Sequence, residues 1–183
     1  MAHQFALAEK NQPGYDVAQV DEFISKARAQ FNDFSSQILP SDHLRRVEFD
    51  LVHGGYLITA VDDALARLED AFAKNEIERQ LANAGKFAVD DRFARIKDIV
   101  IGRTERPAGS KFNRVSWIMR GYNRKQVDAI AEHVERHLVS GAPLSVAEVR
   151  GAIFKASRGG YVEGQVDAFL DRVIELLQLE ANR

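Results

Sequence analysis

The 183-residue chain contains no cysteine. That absence removes disulfides, thiolate metal sites and thiol nucleophiles, and it suits a reducing cytoplasm. Proline is scarce at four residues, so little interrupts the runs of Ala, Glu, Leu and Arg that favour helix. Long apolar runs are missing too. The most apolar short stretch, Ile99 to Gly102, falls far below the roughly eighteen residues that a membrane-spanning helix needs. The first fifteen residues, Met1 to Tyr15, lack a charged segment followed by an apolar one and do not read as a signal peptide. The expectation is a cytoplasmic, all-α protein.

Signatures of catalysis are also lacking. His133 and His137 stand four apart, a spacing that can hold a divalent metal on a helix, but the intervening Val-Glu-Arg does not complete a zinc-protease pattern. Solvated or interface histidines are the expectation for this pair. His3, His43 and His53 are scattered, no serine sits in a nucleophile elbow, and the paired glycines at 54–55 and 159–160 do not form a phosphate-binding loop. No catalytic residue, metal or cofactor is expected, and the chain does not read as an enzyme.

Charge is balanced overall, at net −2, but not locally. Arg103, Arg106, Lys111, Arg114, Arg120, Arg124 and Lys125 face a single acid, Glu105, within one segment. The bland reading is a solvated connection between domains. The alternatives are attraction to anionic lipid, to an acidic partner or to nucleic acid, the last disfavoured because no recognition helix or aromatic-basic pattern accompanies the charge.

What the sequence does have is one phrase written four times: Gly14 to Phe23, Gly55 to Ala64, Gly121 to Ile130 and Gly160 to Phe169. In every copy Gly precedes Tyr, and Val-Asp follows at a fixed distance: Gly14, Tyr15, Val20, Asp21; Gly55, Tyr56, Val61, Asp62; Gly121, Tyr122, Val127, Asp128; Gly160, Tyr161, Val166, Asp167. Seven residues before the Tyr stand Phe49, Val115 and Phe154, with Ala8 in the first copy and Phe5 nearby as a substitute. The glycine suits a sharp turn at positive φ. Asp16 and Asn123 suit N-caps, with Gln19 and Gln126 placed to complete capping boxes. From each Val onward, apolar residues recur with helical period: Val20, Phe23, Ile24, Ala27; Val61, Ala64, Leu65, Leu68; Val127, Ile130, Ala131, Val134; Val166, Phe169, Leu170, Val173. The four Asp residues fall in first helical turns, where the dipole favours negative charge. Their equivalence argues for a structural role, since a catalytic acid needs one singular environment.

Residues 39–49 align without gaps on 144–154, where Ser145 and Glu148 form a further capping box. The repeating unit therefore reads as short helix, Gly-Tyr turn, long helix, assembled into hairpins or a bundle with pairing like that of a coiled coil. Residues 1–101 are expected to hold the first pair of units, near 5–38 and 39–80, with a helical extension. Residues 102–111 read as a linker, and 112–183 as the second pair, near 112–140 and 144–180. The units can pair within a half, across halves or with a second chain, giving an internally paired monomer or a homodimer.

These residues resemble the DivIVA family of bacterial pole and septum proteins, and most closely proteins that string several such domains together. The resemblance implies a non-catalytic helical protein that works through protein-protein contact, at the inner face of the cell membrane during division or polar growth. It also implies that a loop before Gly-Tyr presents an apolar residue and an Arg to the membrane. By position these are Met119 and Arg120, and only the third copy keeps both. Trp117, beside them, is read as a core residue or as an interfacial anchor. The last helix runs to Arg183, and a compact binding module is expected. Docking on anionic lipid through residues 117–120 and the basic segment 103–125 stands as the alternative function.

Overall fold

The computed structural model describes residues 4–32 and 40–183. The tail of the first expected unit up to residue 38, Leu39 and His3 lie outside the described residues. The elements run β1 (Pro13–Tyr15), α1 (Val17–Asn32), α2 (Ser41–Arg45), β2 (Leu51–His53), α3 (Ile58–Thr104), β3 (Arg120–Tyr122), α4 (Arg124–Ser140), α5 (Val146–Arg150), β4 (Ala156–Arg158) and α6 (Glu163–Asn182). Helix dominates, but the expectation of an all-α chain needs correction, because β1 pairs with β2 and β3 with β4 in two small antiparallel sheets. Of the Gly-Tyr segments read as turns, those at Tyr15 and Tyr122 lie in strands that pair with the residues just before the second and fourth copies, while Tyr56 and Tyr161 meet them through isolated bridges. Among the described residues no helix is long and apolar enough to cross a membrane.

Helix starts follow local chemistry. The Asp16 carboxylate accepts from the Gln19 amide N–H at 2.9 Å, and the Asn123 side chain accepts from the Gln126 N–H at 3.3 Å. The capping box of Ser145 and Glu148 is formed in full. Gly141, at φ 70°, closes α4 in the left-handed conformation that glycine adopts without strain.

Two compact units divide the chain, Met1–Glu76 and Ile77–Arg183. The boundary falls inside α3, well before residue 101. The cause is the apolar stripe on the remainder of α3: Ile77, Val89, Phe93, Ile96 and Val100 are buried in one cluster with Val127 and Val134 of α4 and Val166, Phe169, Val173 and Leu176 of α6. Gly85, at φ 77° and ψ 171°, interrupts α3 in a region open only to glycine. Across it the Gln80 amide donates to the Ala88 carbonyl and accepts from Arg92 Nη1 at 3.0 Å. In a straight helix residues 80 and 92 would stand about 18 Å apart along the axis, so α3 bends back on itself at Gly85. Residues 102–111, expected as a linker, fold into the second unit. Lys111 is 3% exposed, and its ammonium donates to the carbonyls of Thr104 and Arg106, satisfying the end of α3.

Among the described residues the first unit has smaller cores. Val20, Ile24, Tyr56 and Val61 form one cluster, and Ala27, Leu44 and Phe72 another. Beside the latter, Glu69 is buried and accepts from the Arg45 guanidinium at 3.0 and 2.5 Å.

In each unit two copies of the phrase cross. The Tyr15 N–H donates to the Tyr56 carbonyl at 2.9 Å and the Tyr56 N–H to the Tyr15 carbonyl at 2.8 Å. The second unit repeats the exchange between Tyr122 and Tyr161 at 3.0 and 2.9 Å. The preceding glycines make this approach possible, and not through positive φ. The positive-φ glycines are Gly54, Gly85, Gly109, Gly141 and Gly159. A Cβ on Gly14 would stand 2.5 Å from the Tyr56 carbonyl oxygen, and one on Gly160 at 2.5 Å from that of Tyr122. Gly55 and Gly121 are closed off in the same way by Tyr15 and Tyr161. Gly160→Ala should therefore cost about 1–3 kcal/mol through a backbone clash that cannot relax. Gly164→Ala, on an exposed turn of α6 with open space around it, should gain about 0.5–1 kcal/mol. Urea unfolding of both variants checks this, and equal midpoints would refute the crossing as the source of the glycine requirement.

Candidate functional site

The side chains of the phrase explain each other once the copies are paired. The Tyr56 hydroxyl reaches Asp21 at 3.0 Å, and the Tyr161 hydroxyl donates to Asp128 at 2.8 Å. Tyr15 and Tyr122 bond in the same way to Asp62 and Asp167. Each Asp thus accepts the hydroxyl of the tyrosine in the opposite copy. The helix dipole is not what selects it, since a dipole would be served by acids elsewhere in the first turn.

Glutamine is likewise used across the pair. The Gln19 side chain accepts from the Asp50 N–H at 2.9 Å and donates to its carboxylate. Gln126 accepts from the Lys155 N–H at 2.8 Å, and Gln165 from the Asn113 N–H at 2.9 Å. The capping boxes expected at Gln19 and Gln126 are replaced by these bridges to the neighbouring chain segment.

Phenylalanine completes the pattern. Phe49 packs edge-on to Tyr15 with centroids 5.4 Å apart, and Phe154 packs on Tyr122 at 5.1 Å. The partners of Tyr56 and Tyr161 are Phe5 and Phe112, each at 5.3 Å. Phe5 and Phe112 stand ten residues before the Tyr of their own copy. Phe112, and not Val115, is therefore the third copy's counterpart of Phe5.

The tyrosine hydroxyls are all held above their ordinary range, chiefly by burial, with the carboxylate partners adding to the effect. Tyr161 is pushed up to about 12. Partial burial raises the carboxyls of Asp62 and Asp167, opposed by the tyrosine hydrogen bond. This is a set of structural bonds.

The two units differ in the turn that leads into the crossing. In both, the backbone closes a tight turn, Gln12 N–H to the Glu9 carbonyl in the first and Met119 N–H to the Ser116 carbonyl in the second, each at 2.8 Å. In both, the glycine before the even copy's Gly-Tyr returns to the turn: Gly54 N–H donates to Gln12 and Gly159 N–H to Met119. The residues at the first turn are Glu9, Lys10, Asn11 and Gln12, all exposed. At the second they are Ser116, Trp117, Ile118 and Met119, and the last three are 76%, 65% and 59% exposed. Trp117 is not a core residue. Three consecutive large apolar side chains project from the second unit.

Basic residues flank this apolar tip in the chain and in the sheet. Arg120 on β3 is the cross-strand partner of Arg158 on β4, and both are exposed. Among the described residues neither has an ion-pair partner. Like charges directly opposite each other destabilise a strand pair. Arg114 bonds the Gly159 carbonyl at 3.2 Å, and Lys155 and Lys125 are exposed nearby in the chain. In the first unit the positions of Arg120 and Arg158 are taken by Pro13 and His53. The sequence singled out Trp117, Met119 and Arg120. Ile118 falls within the loop 117–120 read as the alternative docking segment, whereas Arg158 was missed, since only the strand register brings it to the site.

The two spaced histidines hold a loop. His137 contacts the Ala142 carbonyl and Glu180, both at 2.8 Å, and His133 contacts the Pro143 carbonyl at 3.0 Å. Among the described residues no group of three or more metal-ligating side chains comes together. Compared with protein-family models, with curated proteins and with solved structures, the chain matches none.

The tyrosine bonds predict an alkaline limit. A tyrosine whose folded value is raised favours folding below about pH 10, and its contribution is lost as pH rises through the folded value. The second unit should therefore lose stability between about pH 10 and 12, in step with the appearance of tyrosinate absorbance. Tyr161→Phe should cost about 1–3 kcal/mol at neutral pH by leaving Asp128 and the Lys111 N–H without the hydroxyl, and should flatten that alkaline fall. Thermal melts across this range check both. A Tyr161→Phe melting curve identical to wild type would exclude the hydroxyl as a structural bond.

Proposed function

We propose that this chain is a non-catalytic helical module that docks reversibly on anionic membrane surfaces through the turn of its second unit, leaving its helical faces for protein partners. The observation that carries the reading is the exposed Trp117-Ile118-Met119 tip beside the unpaired Arg120 and Arg158. Apolar side chains of this kind gain by leaving water for the acyl boundary. Arginines beside them gain about 1 kcal/mol each near an anionic surface. A lipid phosphate would also relieve the like-charge repulsion between the two cross-strand arginines.

Placement at the inner face of the cell membrane, in division or polar growth, rests on the resemblance to the DivIVA family. Protein-protein contact is part of the same reading, since a single tip gives weak attachment that other contacts must supplement. Each Gly-Tyr crossing is completed within one chain, which supports an internally paired monomer over a homodimer. Light scattering should accordingly return the monomer mass of 20.5 kDa, and a stable dimer would remove that support.

The chain has one tryptophan, and it sits at the tip, so its fluorescence reports directly on the site. With phosphatidylglycerol vesicles, Trp117 emission should shift to the blue and the protein should sediment with the lipid. Phosphatidylcholine vesicles should give much less of both. Arg120→Glu should weaken association about thirtyfold, the effect of a two-charge change near the surface, and Ile118→Ser with Met119→Ser should abolish the blue shift. Absence of sedimentation with anionic vesicles, or undiminished binding by Arg120→Glu, would overturn the proposal.

A further inference from the structure

A second feature of the Ile77–Arg183 unit is independent of the turn. Between α3 and α6 runs an open groove of about 360 Å³ lined by Ile99, Val100, Arg103, Gly164, Gln165, Ala168, Phe169 and Arg172. Its floor is apolar, formed by the buried Val100 and Phe169. One wall is Ile99, which is 62% exposed although it lies on the same helix as the buried stripe. The facing wall is low. Gly164 and Ala168 present almost no side chain, and a Cβ added at Gly164 would meet nothing within 4 Å.

The rim is charged with one sign. Arg103 and Arg172 line the groove and no carboxylate does. In the other two open pockets described, acids are part of the lining: Glu22, Glu48 and Asp50 in one, Glu132 and Glu135 in the other. Arg172 is engaged by Glu175 at 2.5 Å. Arg103 is different. It stacks on the Phe112 ring at 5.1 Å and donates through Nη1 to the Lys111 carbonyl, but among the described residues it has no carboxylate partner. Burial, with Arg106 beside it, holds its guanidinium below the usual arginine range. It is a partly desolvated cation, fixed in direction by a ring and a carbonyl and lacking a counter-ion.

We infer that the α3–α6 groove is a docking site for an acidic segment of a partner protein, with one apolar side chain of that segment seated between Ile99 and Ala168 and an adjacent carboxylate on Arg103. Charge complementarity selects the partner. A basic segment would add to an unbalanced positive rim, and a wholly apolar one would leave Arg103 desolvated without compensation. The planar guanidinium, already oriented, loses little freedom in accepting a carboxylate. The low wall at Gly164 and Ala168 lets a backbone approach α6 closely, while Ile99 supplies the apolar surface that water now covers.

The test uses a short acetylated peptide of glutamate and leucine, labelled at one end and titrated by fluorescence anisotropy against the whole chain. Two controls accompany it, a peptide with lysine for glutamate and one of glutamate alone. The glutamate-leucine peptide should saturate and the other two should not. Ile99→Asp, at an exposed position, and Arg103→Glu should each weaken binding about tenfold or more, the loss of roughly 1.4 kcal/mol. Arg120→Glu, at the turn, should leave it unchanged, which separates this site from the lipid-facing one. Since Arg103 also braces Phe112, circular dichroism of its variant is recorded, and if it unfolds Ile99→Asp alone decides. Failure of the glutamate-leucine peptide to saturate, equal binding of the glutamate-only peptide, or wild-type affinity in Ile99→Asp would overturn the inference.

Discussion

Everything in this structure depends on two backbones passing closer together than side chains allow. Where the Gly-Tyr segments cross, each tyrosine peptide exchanges both hydrogen bonds with its opposite number, and the glycine before it lies against the carbonyl of the other strand. A Cβ at that point meets backbone, which cannot swing aside as a side chain can. The glycine requirement is therefore one of space and not of dihedral freedom. The remaining residues of the phrase then follow from what the crossing brings together.

Crossing places each tyrosine over the start of the opposite copy's helix. The ring is buried or half-buried there, and a buried hydroxyl without a partner costs more than the bond itself returns. Asp after Val is the group within reach. Glutamine, one position before Val, reaches the same neighbouring segment and satisfies a backbone N–H that the short strands leave open. The tyrosines of the second and fourth copies are the fully buried ones, and they take their ring partners from Phe5 and Phe112, each ten residues before the first Gly-Tyr tyrosine of its unit. Those of the first and third copies take theirs from Phe49 and Phe154. The two copies in a unit are thus complementary in role even though they are alike in wording.

That complementarity marks where sequence reasoning stopped. The helices after each phrase were legible, because Val20, Ile24 and Ala27, or Val127, Ala131 and Val134, announce a buried stripe by period alone. The Asn123 and Ser145 caps were legible for the same local reason. The strands were not. A three-residue extended segment has too few positions to show alternation, and its identity comes from a partner about forty residues away. The roles of Asp and Gln were misassigned because a local explanation, dipole or capping box, was sufficient to account for them. The division of the chain after Glu76 has no sequence signal because α3 continues through it as helix, and it is the burial of Ile77, Val89, Phe93 and Val100 in one cluster that ties this stretch to the second core. At the turn, Met119 and Arg120 could be read from the phrase that follows them, whereas Arg158 required the strand register.

The equivalence of the two crossings gives the differences between the units their meaning. The backbone bonds from residue 6 to 57 recur almost one for one from 113 to 162, so the frame constrains both turns identically and leaves their side chains free. On such a frame the first unit carries Glu9-Lys10-Asn11-Gln12 and the second Ser116-Trp117-Ile118-Met119. Burial cannot account for the second set, since those side chains gain nothing from the fold they project from. Strand pairing cannot account for Arg120 opposite Arg158, because that pair opposes the sheet it belongs to. Residues that cost the isolated chain and do nothing for its core are best explained by something outside it. An apolar tip with Arg120 and Arg158 beside it is what the proposed docking calls for, a surface apolar within and anionic without.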